Sequence, residues 1–479
     1  MSIEYINNAT SSSANQIAKS LTGINGLDAI TEGGFPTGRS TLVCGAAGCG
    51  KTLLSMEFLC NGIIEFNEPG VFIAFEETAE DLAQNVRSLG FDLDELVKNK
   101  MLYIDHIRVD RNEIEESGDF DLEGLFIRLG HAIDSVGAKR VVIDTIETLF
   151  SGIQNTMILR SELKRLFLWL KHKGVTSIIT AERGEGTLTR HGIEEYVSDC
   201  VILLDNRVIN QVTTRRIRIV KYRGSTHGTN EYPFLIDDDG FSVLPVTSLR
   251  LDHEVTSERV STGIEKLDEM LEGRGFFKGS SILVLGSAGT GKTSISASFA
   301  KESCRQGKKV IFFAYEESPR QIMRNMSSIG LDLAEYVEDG SLRFLASRPT
   351  VYGLEMHLVM MHKAIEEFKP DVVIVDPMTN LIAVGDINEV KAMLTRLIDF
   401  LKINMITAMF TALLQSDKES VNTTEGISSL IDTLILVRNL EKDNELHRGL
   451  QIVKSRGMSH SNKIREFLIN KNGIDLIDF

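Results

Sequence analysis

The feature that most constrains the fold of this chain is an internal repeat that spans almost its whole length. The segment LTGINGLDAI, which begins at Leu21, returns as STGIEKLDEM from Ser261. The segment STLVCGAAGCGKT, which begins at Ser40, returns as SSILVLGSAGTGKT from Ser280, and the lysines near the ends of these two segments lie 241 residues apart. Solenoid repeats are far shorter, at roughly 20–50 residues. The pattern therefore indicates the tandem duplication of a whole domain.

Each copy has the pattern of an α/β domain. Short runs such as STLVCG and VVID alternate with longer segments whose apolar residues have helical spacing, such as LSMEFLCNGIIEF. This alternation predicts a mostly parallel sheet flanked by helices. Both copies end in β-rich sequence. We predict a flexible arm over 1–17, a first domain over 18–247, a linker over 248–260 and a second domain over 261–479.

The composition is typical of a globular protein and excludes some functional classes. The 479 residues carry a formal net charge of −15, which disfavours a surface built to hold nucleic acid. Charges interrupt the most apolar stretches, as in LFLWLKHKG, so no membrane span is expected. No CxxC pair occurs, which suggests reduced thiols and a cytoplasmic location. The five cysteines are Cys44, Cys49, Cys60, Cys200 and Cys304.

Both copies contain a complete phosphate-binding loop of the form GxxxxGK[ST]. The loops are GAAGCGKT at 45–52 and GSAGTGKT at 286–293, and each joins an apolar strand to a helical segment. In such loops the backbone N–H groups surround a phosphate, the lysine adds positive charge and the hydroxyl binds Mg²⁺. We predict ATP binding by Gly48, Cys49, Gly50, Lys51, Thr52 and Leu53 in the first copy and by Gly289, Thr290, Gly291, Lys292, Thr293 and Ser294 in the second, with Thr52 and Thr293 as metal ligands.

A second acidic group is expected near each metal. The strands VVID and VVIVD end at Asp144 and Asp376, which follow the phosphate-loop lysines by 93 and 84 residues. A carboxylate at the end of a strand suits a group held near magnesium, usually through water. A lone aspartate in this position is more often a turn or cap residue, but its place after a phosphate loop favours the metal site.

A Glu-Glu pair follows another strand in each copy. Glu76 lies 25 residues after the first loop lysine, and its counterpart Glu316 lies 24 residues after the second. We expect each pair on the strand beside the phosphate loop, at the carboxyl edge of the sheet. There one carboxylate of each pair could orient or deprotonate the attacking oxygen, and its neighbour could help to hold the metal. A solvated acidic turn is the alternative, which the recurrence disfavours.

Each copy also has a basic strand near its end. IVKYRG places Lys221 and Arg223 on one face of a strand, and IVKSRG does the same for Lys454 and Arg456. These side chains could reach a phosphate on a neighbouring subunit, as arginines supplied in trans do in phosphoryl transfer. A solvated strand face is the plain alternative, and nucleic acid is the competing anion.

These motifs together resemble the KaiC family, the RecA-like ATPases and autokinases of bacterial clocks. Strings such as NGIIEFNEPGVFIAFEET, RSLGFDL, FAYEES and IREFLI extend the similarity over nearly the whole chain. The resemblance implies two tandem RecA-like domains that form a double-ring homohexamer, with ATP and Mg²⁺ at the subunit interfaces. It also implies slow ATP hydrolysis in the first ring and a reversible autophosphorylation in the second.

The resemblance assigns further site residues. Glu76 and Glu77 would serve the hydrolytic water, Glu317 would be the general base for the accepting hydroxyl, and Glu316 would assist it or bind the metal. ATP would also be contacted by Ser88 and, from a neighbouring subunit, by Lys221, Tyr222, Arg223, Ser225 and His227 in the first ring and by Lys454, Arg456 and His460 in the second.

The phosphoacceptors implied by the resemblance lie in the segment GISSLIDT. They are Ser428 and Ser429, and Thr423 matches a nearby family threonine implicated in phosphate shuttling. In the first copy EYVSD stands where SSLID stands in the second, so glutamate and tyrosine replace the two serines. This difference is consistent with hydrolysis in one ring and transfer to protein in the other.

Two departures from the family pattern bear on partners and ligand binding. The chain stops at GIDLIDF, short of the extension through which clock-type relatives bind KaiA, so we expect no KaiA binding but do expect a KaiB-like partner. Ile329 stands where the family can offer a tryptophan near adenine, so weaker binding is expected at the second site. Two rival functions are a DNA-dependent RecA-like motor and a non-catalytic scaffold assembled by nucleotide.

Overall fold

The computed structural model describes residues 17–107, 123–150, 155–184, 186–190, 192, 197–209, 212–245, 255–385, 387–414, 429–442 and 444–478. The chain divides into two compact units, one of residues 1–208 and 213–247 and the other of residues 209–212 and 248–479. The predicted arm over 1–17 and the predicted linker over 248–260 fall largely outside the described residues, so both stay predictions.

The first half of the chain forms eleven described strands and seven described helices. The strands are β1 (Lys19–Ser20), β2 (Phe35–Pro36), β3 (Ser40–Gly45), β4 (Gly70–Ala74), β5 (Leu102–His106), β6 (Arg140–Asp144), β7 (Thr176–Glu182), β8 (Cys200–Ile209), β9 (Val212–Tyr222), β10 (Glu231–Asp237) and β11 (Gly240–Val243). The helices are α1 (Leu27–Ile30), α2 (Lys51–Phe66), α3 (Ala79–Arg87), α4 (Leu93–Lys98), α5 (Glu123–Val136), α6 (Ile146–Phe150) and α7 (Thr156–Lys173).

The main sheet of the first unit has nine strands in the order β11-β10-β9-β8-β3-β7-β6-β4-β5. The six strands from β8 to β5 are joined by parallel pairings, whereas β10 pairs antiparallel with both β9 and β11. Strand β3 is flanked on both sides, so the phosphate loop that follows it emerges from the middle of the carboxyl edge. The prediction of a mostly parallel sheet flanked by helices is confirmed.

The second half of the chain repeats this arrangement. The strands are β12 (Arg259–Val260), β13 (Phe276–Phe277), β14 (Ser281–Gly286), β15 (Val310–Ala314), β16 (Leu342–Ala346), β17 (Val372–Asp376), β18 (Thr407–Leu413), β19 (Thr433–Lys442), β20 (Glu445–Ser455), β21 (Arg465–Asn470) and β22 (Gly473–Asp478). The helices are α8 (Glu265–Met270), α9 (Lys292–Arg305), α10 (Pro319–Ser327), α11 (Ala334–Glu338), α12 (Leu354–Phe368) and α13 (Ile387–Ile403), with 3-10 turns at Pro349–Val351 and Met378–Ala383.

The second sheet has the same strand order as the first. It runs β22-β21-β20-β19-β14-β18-β17-β15-β16, so each strand occupies the place of its counterpart in the first copy. The duplication read from the motifs therefore extends to the topology of both units. In the described parts of both units, no helix is long and apolar enough to cross a membrane.

The central strand β3 shows why both faces of the sheet must be covered. Every residue of STLVCG is buried, as expected for a parallel strand between two helical layers. Val43 belongs to the apolar cluster that contains Phe58 of α2, whereas Leu42 and Cys44 belong to the cluster that contains Leu163 of α7. Successive side chains of a strand point to opposite faces, so one short strand anchors both layers. All five cysteines are buried, and none of them forms a disulfide.

A buried arginine distinguishes the first unit from the second. Arg140, which is 1% exposed, donates hydrogen bonds to the Glu68 carboxylate (2.6 Å) and to the carbonyls of Phe58 (2.7 Å) and Leu21 (2.8 Å). Its guanidinium also lies over the Phe58 ring, 4.4 Å from the centroid. The corresponding residue of β17 is Val372, which is buried in an apolar cluster. The N-terminal segment, α2 and β6 of the first unit are therefore tied together by one charged side chain.

Replacement of this arginine should destabilise the first unit. We expect Arg140→Met to lower the free energy of unfolding by about 3 kcal/mol, because the buried Phe58 carbonyl, the partly buried Leu21 carbonyl and the Glu68 carboxylate lose their donor. The fluorescence of Trp169, the one tryptophan of the chain, reports urea unfolding of this unit. Arg87→Met is the matched control, since the Arg87 side chain is 70% exposed in its pair with Asp94 and should cost less than about 1 kcal/mol. Equal losses in the two variants would contradict this account.

Candidate functional site

The lysine of the first phosphate loop hydrogen-bonds to backbone carbonyls of the same loop. Lys51 is the first residue of α2, and its Nζ donates to the carbonyls of Gly45 (3.0 Å) and Ala46 (3.0 Å). Gly50 has a φ of 101°, and a Cβ there would lie 2.8 Å from the Ile236 side chain, so only glycine fits. The loop thus gathers backbone N–H groups at a helix N-terminus, which is a favourable place for phosphate.

A hydroxyl and a carboxylate meet beside this loop. Thr52 Oγ1 donates to Asp144 Oδ2 at 2.7 Å, and the Thr180 hydroxyl donates to the other oxygen of the same carboxylate. Burial raises the pKa of Asp144, whereas the two hydroxyl donors act in the opposite direction. The structure therefore brings together two predicted metal ligands that lie 92 residues apart in the sequence.

These oxygens fit Mg²⁺. Hydroxyl and carboxylate oxygens are the hard ligands that Mg²⁺ prefers, and this ion usually takes one or two protein oxygens together with phosphates and water. Within the part of the chain that the structure describes, no group of three or more histidine, cysteine, aspartate or glutamate side chains could form a protein-only metal cage. A site completed by the phosphates of a nucleotide agrees with both observations.

The first glutamate pair lies at the carboxyl edge but not on the neighbouring strand. Strand β4 is separated from β3 by β6 and β7, so the expectation that the pair follows the strand beside the loop is wrong. The reason is a crossover in which two later strands insert between β3 and β4. The same holds in the second unit, where β17 and β18 separate β15 from β14.

Each glutamate of the first pair has its own hydrogen-bond partners. Glu76 is exposed and accepts from the hydroxyls of Thr145 (3.3 Å) and Thr148 (2.9 Å). Glu77 is half-buried, and its Oε2 accepts from Nδ2 of Asn85 at 3.0 Å. Burial, followed by the charge of Asp144, raises the pKa of Glu77. The two carboxylates are thus held separately, with Glu77 closer to the interior.

A cavity of about 580 Å³ brings together seven of the predicted residues of the first site, and its size suits a small-molecule ligand. Of the predicted residues, its lining includes Gly48, Gly50, Lys51, Thr52, Leu53, Glu77 and Ser88. The side chain of Cys49 is fully buried, so only its backbone is available to a ligand.

Some lining residues were not predicted from the sequence. Ile236 of β10 and the two aspartates that follow it, Asp237 and Asp238, line the far wall of the cavity, as do Met56 and Asn85. The run DDDG at 237–240 was the signal that could have found this wall, because three acidic residues in a hairpin turn near a phosphate loop are conspicuous.

The second phosphate loop has the same internal contacts. Lys292 Nζ donates to the carbonyls of Gly286 (2.8 Å) and Ser287 (2.8 Å). Burial lowers the pKa of Lys292, while the carboxylates of Asp376 and Glu316 oppose this shift. Thr290 is fully buried, and the residues that complete the predicted loop are Gly289, Gly291, Thr293 and Ser294.

The second aspartate is held like the first. Asp376 accepts hydrogen bonds from the hydroxyls of Thr411 and Thr293, and burial raises its pKa. Glu317 Oε2 accepts from Asn325 Nδ2 at 3.0 Å. A cavity of about 220 Å³ beside it is lined by Glu316, Glu317, Gln321 and Arg348, among others.

The first glutamate of each pair, Glu76 or Glu316, is called the outer glutamate, and the second the inner glutamate. The surroundings of the outer glutamates differ between the two units. The residues that correspond to Thr145 and Thr148 are Pro377 and Asn380, neither of which has a hydroxyl. Asn380 instead donates to the carbonyl of Tyr315 at 3.3 Å. Glu316 therefore lacks the hydroxyl donors that hold Glu76.

The residues of the first unit that were predicted to contact ATP bound to a neighbouring subunit do not line the cavity of their own chain. Lys221, Tyr222, Arg223, Ser225 and His227 are absent from that lining. The Tyr222 ring is buried, and its hydroxyl donates to the Gly34 carbonyl at 2.9 Å. The Arg223 guanidinium lies 3.9 Å from the carboxylate of Asp199.

In the second unit a basic residue contacts a predicted phosphoacceptor. Arg456 Nη2 donates to the backbone carbonyl of Ser429 at 2.7 Å, and its backbone N–H donates to the carbonyl of Asp432 at 2.9 Å. The Asp432 carboxylate is paired with Lys402 at 2.8 Å.

The other predicted basic residues of the second unit are Lys454 and His460. Burial lowers the pKa of Lys454. His460 Nδ1 lies 3.3 Å from the carbonyl of Ser461. The predicted acceptors Ser428 and Thr423 lie outside the described residues.

Comparison with known proteins decides the family of the chain. The family model for the ATPase KaiC matches residues 20–248 and 260–478. The chain belongs to the KaiC family. The predicted resemblance is thereby confirmed, and with it two tandem RecA-like repeats that bind ATP.

Individual KaiC relatives match almost the full chain. The circadian clock protein KaiC2 of Synechocystis sp. is 54% identical over 464 residues, which cover 96% of this chain and 82% of the relative. The circadian clock oscillator proteins KaiC of Parathermosynechococcus lividus and Synechococcus elongatus are 41% and 40% identical over 465 residues. These alignments cover 96% of this chain in both cases and 86% and 89% of the two relatives.

A buried carboxyl connects the phosphate-loop helix to the wall of the first cavity. Glu57 of α2 is 3% exposed, and its Oε1 accepts from the backbone N–H of Phe241 at 2.7 Å. Burial is the main cause that raises the pKa of Glu57 to about 7, with a further contribution from Asp237 and an opposing one from the Phe241 hydrogen bond. The corresponding residue of α9 is Ser298, so this carboxyl is specific to the first unit.

The elevated pKa of Glu57 predicts a pH-dependent stability. The folded state holds this proton up to about pH 7, whereas the unfolded chain releases it near 4.5, so ionisation costs folding free energy as the pH rises through this window. Glu57→Gln keeps an acceptor for Phe241 and removes that cost. We expect it to raise the free energy of unfolding by about 3 kcal/mol at pH 8 and by less than about 1 kcal/mol at pH 5.

Urea unfolding followed by Trp169 fluorescence at the two pH values measures this difference. Glu65→Gln, on an exposed position of the same helix, is the matched control and should show no such pH dependence. A gain of equal size at both pH values would contradict the assignment to Glu57.

Proposed function

We propose that this KaiC-family chain is an ATP-hydrolysing protein serine autokinase, in which the first domain hydrolyses ATP and the second phosphorylates Ser428 and Ser429. The observation that carries the proposal is a constellation present in both units. In each, a phosphate-loop threonine is hydrogen-bonded to a buried aspartate, and an inner glutamate accepts a hydrogen bond from an asparagine. The similarity to the named clock proteins supports a role in a circadian clock or a related timing or stress-regulation system.

In the first site the residues serve a water molecule. Thr52 and Asp144 would hold Mg²⁺, which when bound supplies positive charge to the phosphates. Lys51, with its Nζ poised on two loop carbonyls, would add a second positive charge to the transferred phosphoryl group. Glu77 would accept the proton of the attacking water, while Glu76, held by two threonine hydroxyls, would help to orient that water.

In the second site the attacking group would be a serine hydroxyl. Lys292, Thr293 and Asp376 would play the parts of their counterparts, with Glu316 as an additional group near the metal. Glu317 would take the proton from the serine as its Oγ bonds to the γ-phosphorus and the bond to the leaving ADP oxygen breaks. The reverse transfer would dephosphorylate the same serines.

The proposal includes a homohexamer with ATP at the subunit interfaces. None of the basic residues predicted to contact ATP from the first unit lines the cavity of its own chain, which fits a contribution to a neighbouring subunit. In the second unit Lys454, Arg456 and His460 would act in the same way. Family membership supports Kai-type partners, of which we propose a KaiB-like protein.

Mapping of labelled phosphate tests this function. After incubation with Mg²⁺ and γ-labelled ATP, we expect label on Ser428 and Ser429 and none after Ser428→Ala with Ser429→Ala. Glu317→Gln should slow labelling by about 10²–10⁴-fold, because it removes the general base, and should leave hydrolysis in the first domain intact. Glu77→Gln should have the opposite pattern.

Phosphate labelling, ADP release and DNA binding together distinguish the proposed function from its rivals. An unlabelled wild-type chain that still releases ADP would refute the autokinase. Tight, salt-sensitive binding to single-stranded DNA with stimulated ATP hydrolysis would indicate a DNA-dependent motor. If ADP release were absent altogether, the scaffold would replace the enzyme as the explanation.

A further inference from the structure

We propose that Asn85 and Asn325 are positioning residues that orient the inner glutamates, Glu77 and Glu317, toward the attacking oxygen in the two sites. The inference rests on the proposed function, because it takes these glutamates as the bases. Each asparagine acts through its glutamate, and neither is assigned a contact with the reacting atoms.

The contact occurs in both units with the same geometry. Nδ2 of the asparagine lies 3.0 Å from Oε2 of the glutamate in each case. The two partners are eight residues apart in both copies. The helices that carry them have otherwise diverged, since α3 reads AEDLAQNVR, α10 reads PRQIMRNMS, and the asparagine is their only identical position. A contact kept between two diverged copies of one chain points to a shared task.

The start of each helix fixes the asparagine relative to its glutamate. The residue after the glutamate is the N-cap of the helix, Thr78 in the first unit and Ser318 in the second, and both form a capping box with the third helical residue. The asparagine follows the cap by seven residues, about two turns, so it lies on the same side of the helix as the entering chain. Its side chain can therefore reach back to the carboxylate.

The hydrophobic anchors of the two helices keep this register. In α3 the buried residues next to the asparagine are Leu82 and Val86, and in α10 they are Ile322 and Met326. These positions precede and follow the asparagine on the core side. Rotation of the helix about its axis would expose these apolar side chains to water. Their burial therefore keeps the asparagine amide beside the carboxylate.

The amide fits the needs of a general base. It occupies one oxygen of the carboxylate and leaves the other, Oε1, to accept a proton. Because an asparagine is neutral, it orients the carboxylate without the charge that would make it a weaker base. The negative charges of Asp144, Asp81 and Glu76 repel the Glu77 carboxylate, and the hydrogen bond from Asn85 opposes this repulsion.

A second contact sets the direction of the amide in the second unit. Arg324 donates to Oδ1 of Asn325 from Nε (3.2 Å) and from Nη2 (2.9 Å). Because Arg324 donates to Oδ1 of Asn325, the amide nitrogen Nδ2 faces Glu317. These contacts therefore identify the atom of Asn325 that donates to the glutamate. The corresponding residue in the first unit is Gln84, and the chain Arg324–Asn325–Glu317 has no charged counterpart there.

The test for the first site is a double-mutant cycle of hydrolysis rates. We would measure kcat and KM for ATP in the full chain carrying Glu317→Gln, which silences the second site, with Asn85→Leu and Glu77→Gln alone and together. We expect Asn85→Leu to lower kcat about tenfold, as the loss of a hydrogen bond to a charged group would, with nucleotide affinity unchanged. Adding Asn85→Leu to Glu77→Gln should then cause no further loss.

Matched variants separate positioning from general damage. Gln84→Leu changes an exposed neighbour on the same helix and should leave kcat unchanged. If Asn85→Leu unfolds, as judged by Trp169 fluorescence, Asn85→Asp replaces it, because this isosteric change turns the donor toward Glu77 into a like charge and should lower kcat at least as much. For the second site, Asn325→Leu should slow labelling of Ser429 about tenfold and leave hydrolysis by the first domain unchanged.

Several outcomes would overturn the inference. They are an unchanged kcat in Asn85→Leu, a loss of nucleotide affinity in place of kcat, or a loss in the double variant equal to the product of the two single losses. Failure of the proposed function looks different, because a wild-type chain without hydrolysis and without label would give no rate from which to measure a change.

Discussion

The hydrogen bond between Thr52 and Asp144 is the interaction on which the first site depends. The threonine is the second residue of the helix that follows the phosphate loop, and the aspartate ends a strand two places away from β3 in the sheet. The aspartate is also held by Thr180 from the strand between them. One buried carboxylate thereby fixes a helix and two strand ends in one place. The glutamate pair follows the next strand, so its distance from the loop is set through this aspartate and not by direct adjacency to β3.

Comparison of the two units separates what the site requires from what each unit can change. The lysine contacts to loop carbonyls, the hydroxyl-bound aspartate and the asparagine-bound glutamate recur in both. The features confined to the first unit are Arg140, Glu57 and the two threonines that hold Glu76. The common features lie around the phosphate loop, whereas the features of the first unit lie away from the loop or at the outer glutamate. The two units could therefore share the same phosphate chemistry and still differ in the group that accepts the phosphoryl, which would be water in the first and serine in the second.

The sequence was sufficient for the architecture because the signals were local or duplicated. A phosphate loop is defined by local sequence, since its glycines, lysine and threonine lie within eight consecutive residues, and the repeat shows each pattern twice. Strand neighbours could not be derived in the same way. The insertion of β6 and β7 between β3 and β4 depends on crossovers that no local pattern encodes, so the glutamates were expected on the wrong strand. The place of Asn85 in the cavity was missed because an ordinary helix residue carries no distinctive signal. The acidic run at 237–240 is visible in the sequence, but its closeness to the phosphate loop depends on the fold.

The burial of all five cysteines has a practical consequence for labelling chemistry. A thiol reacts as its thiolate, and burial both excludes reagents and raises the pKa of Cys49, Cys60, Cys200 and Cys304. Even the cysteine inside the phosphate loop is shielded in this way. A single cysteine placed on the surface would therefore be the most reactive thiol of the folded chain. Fluorophores, spin labels or crosslinkers could be attached there without first removing the native cysteines.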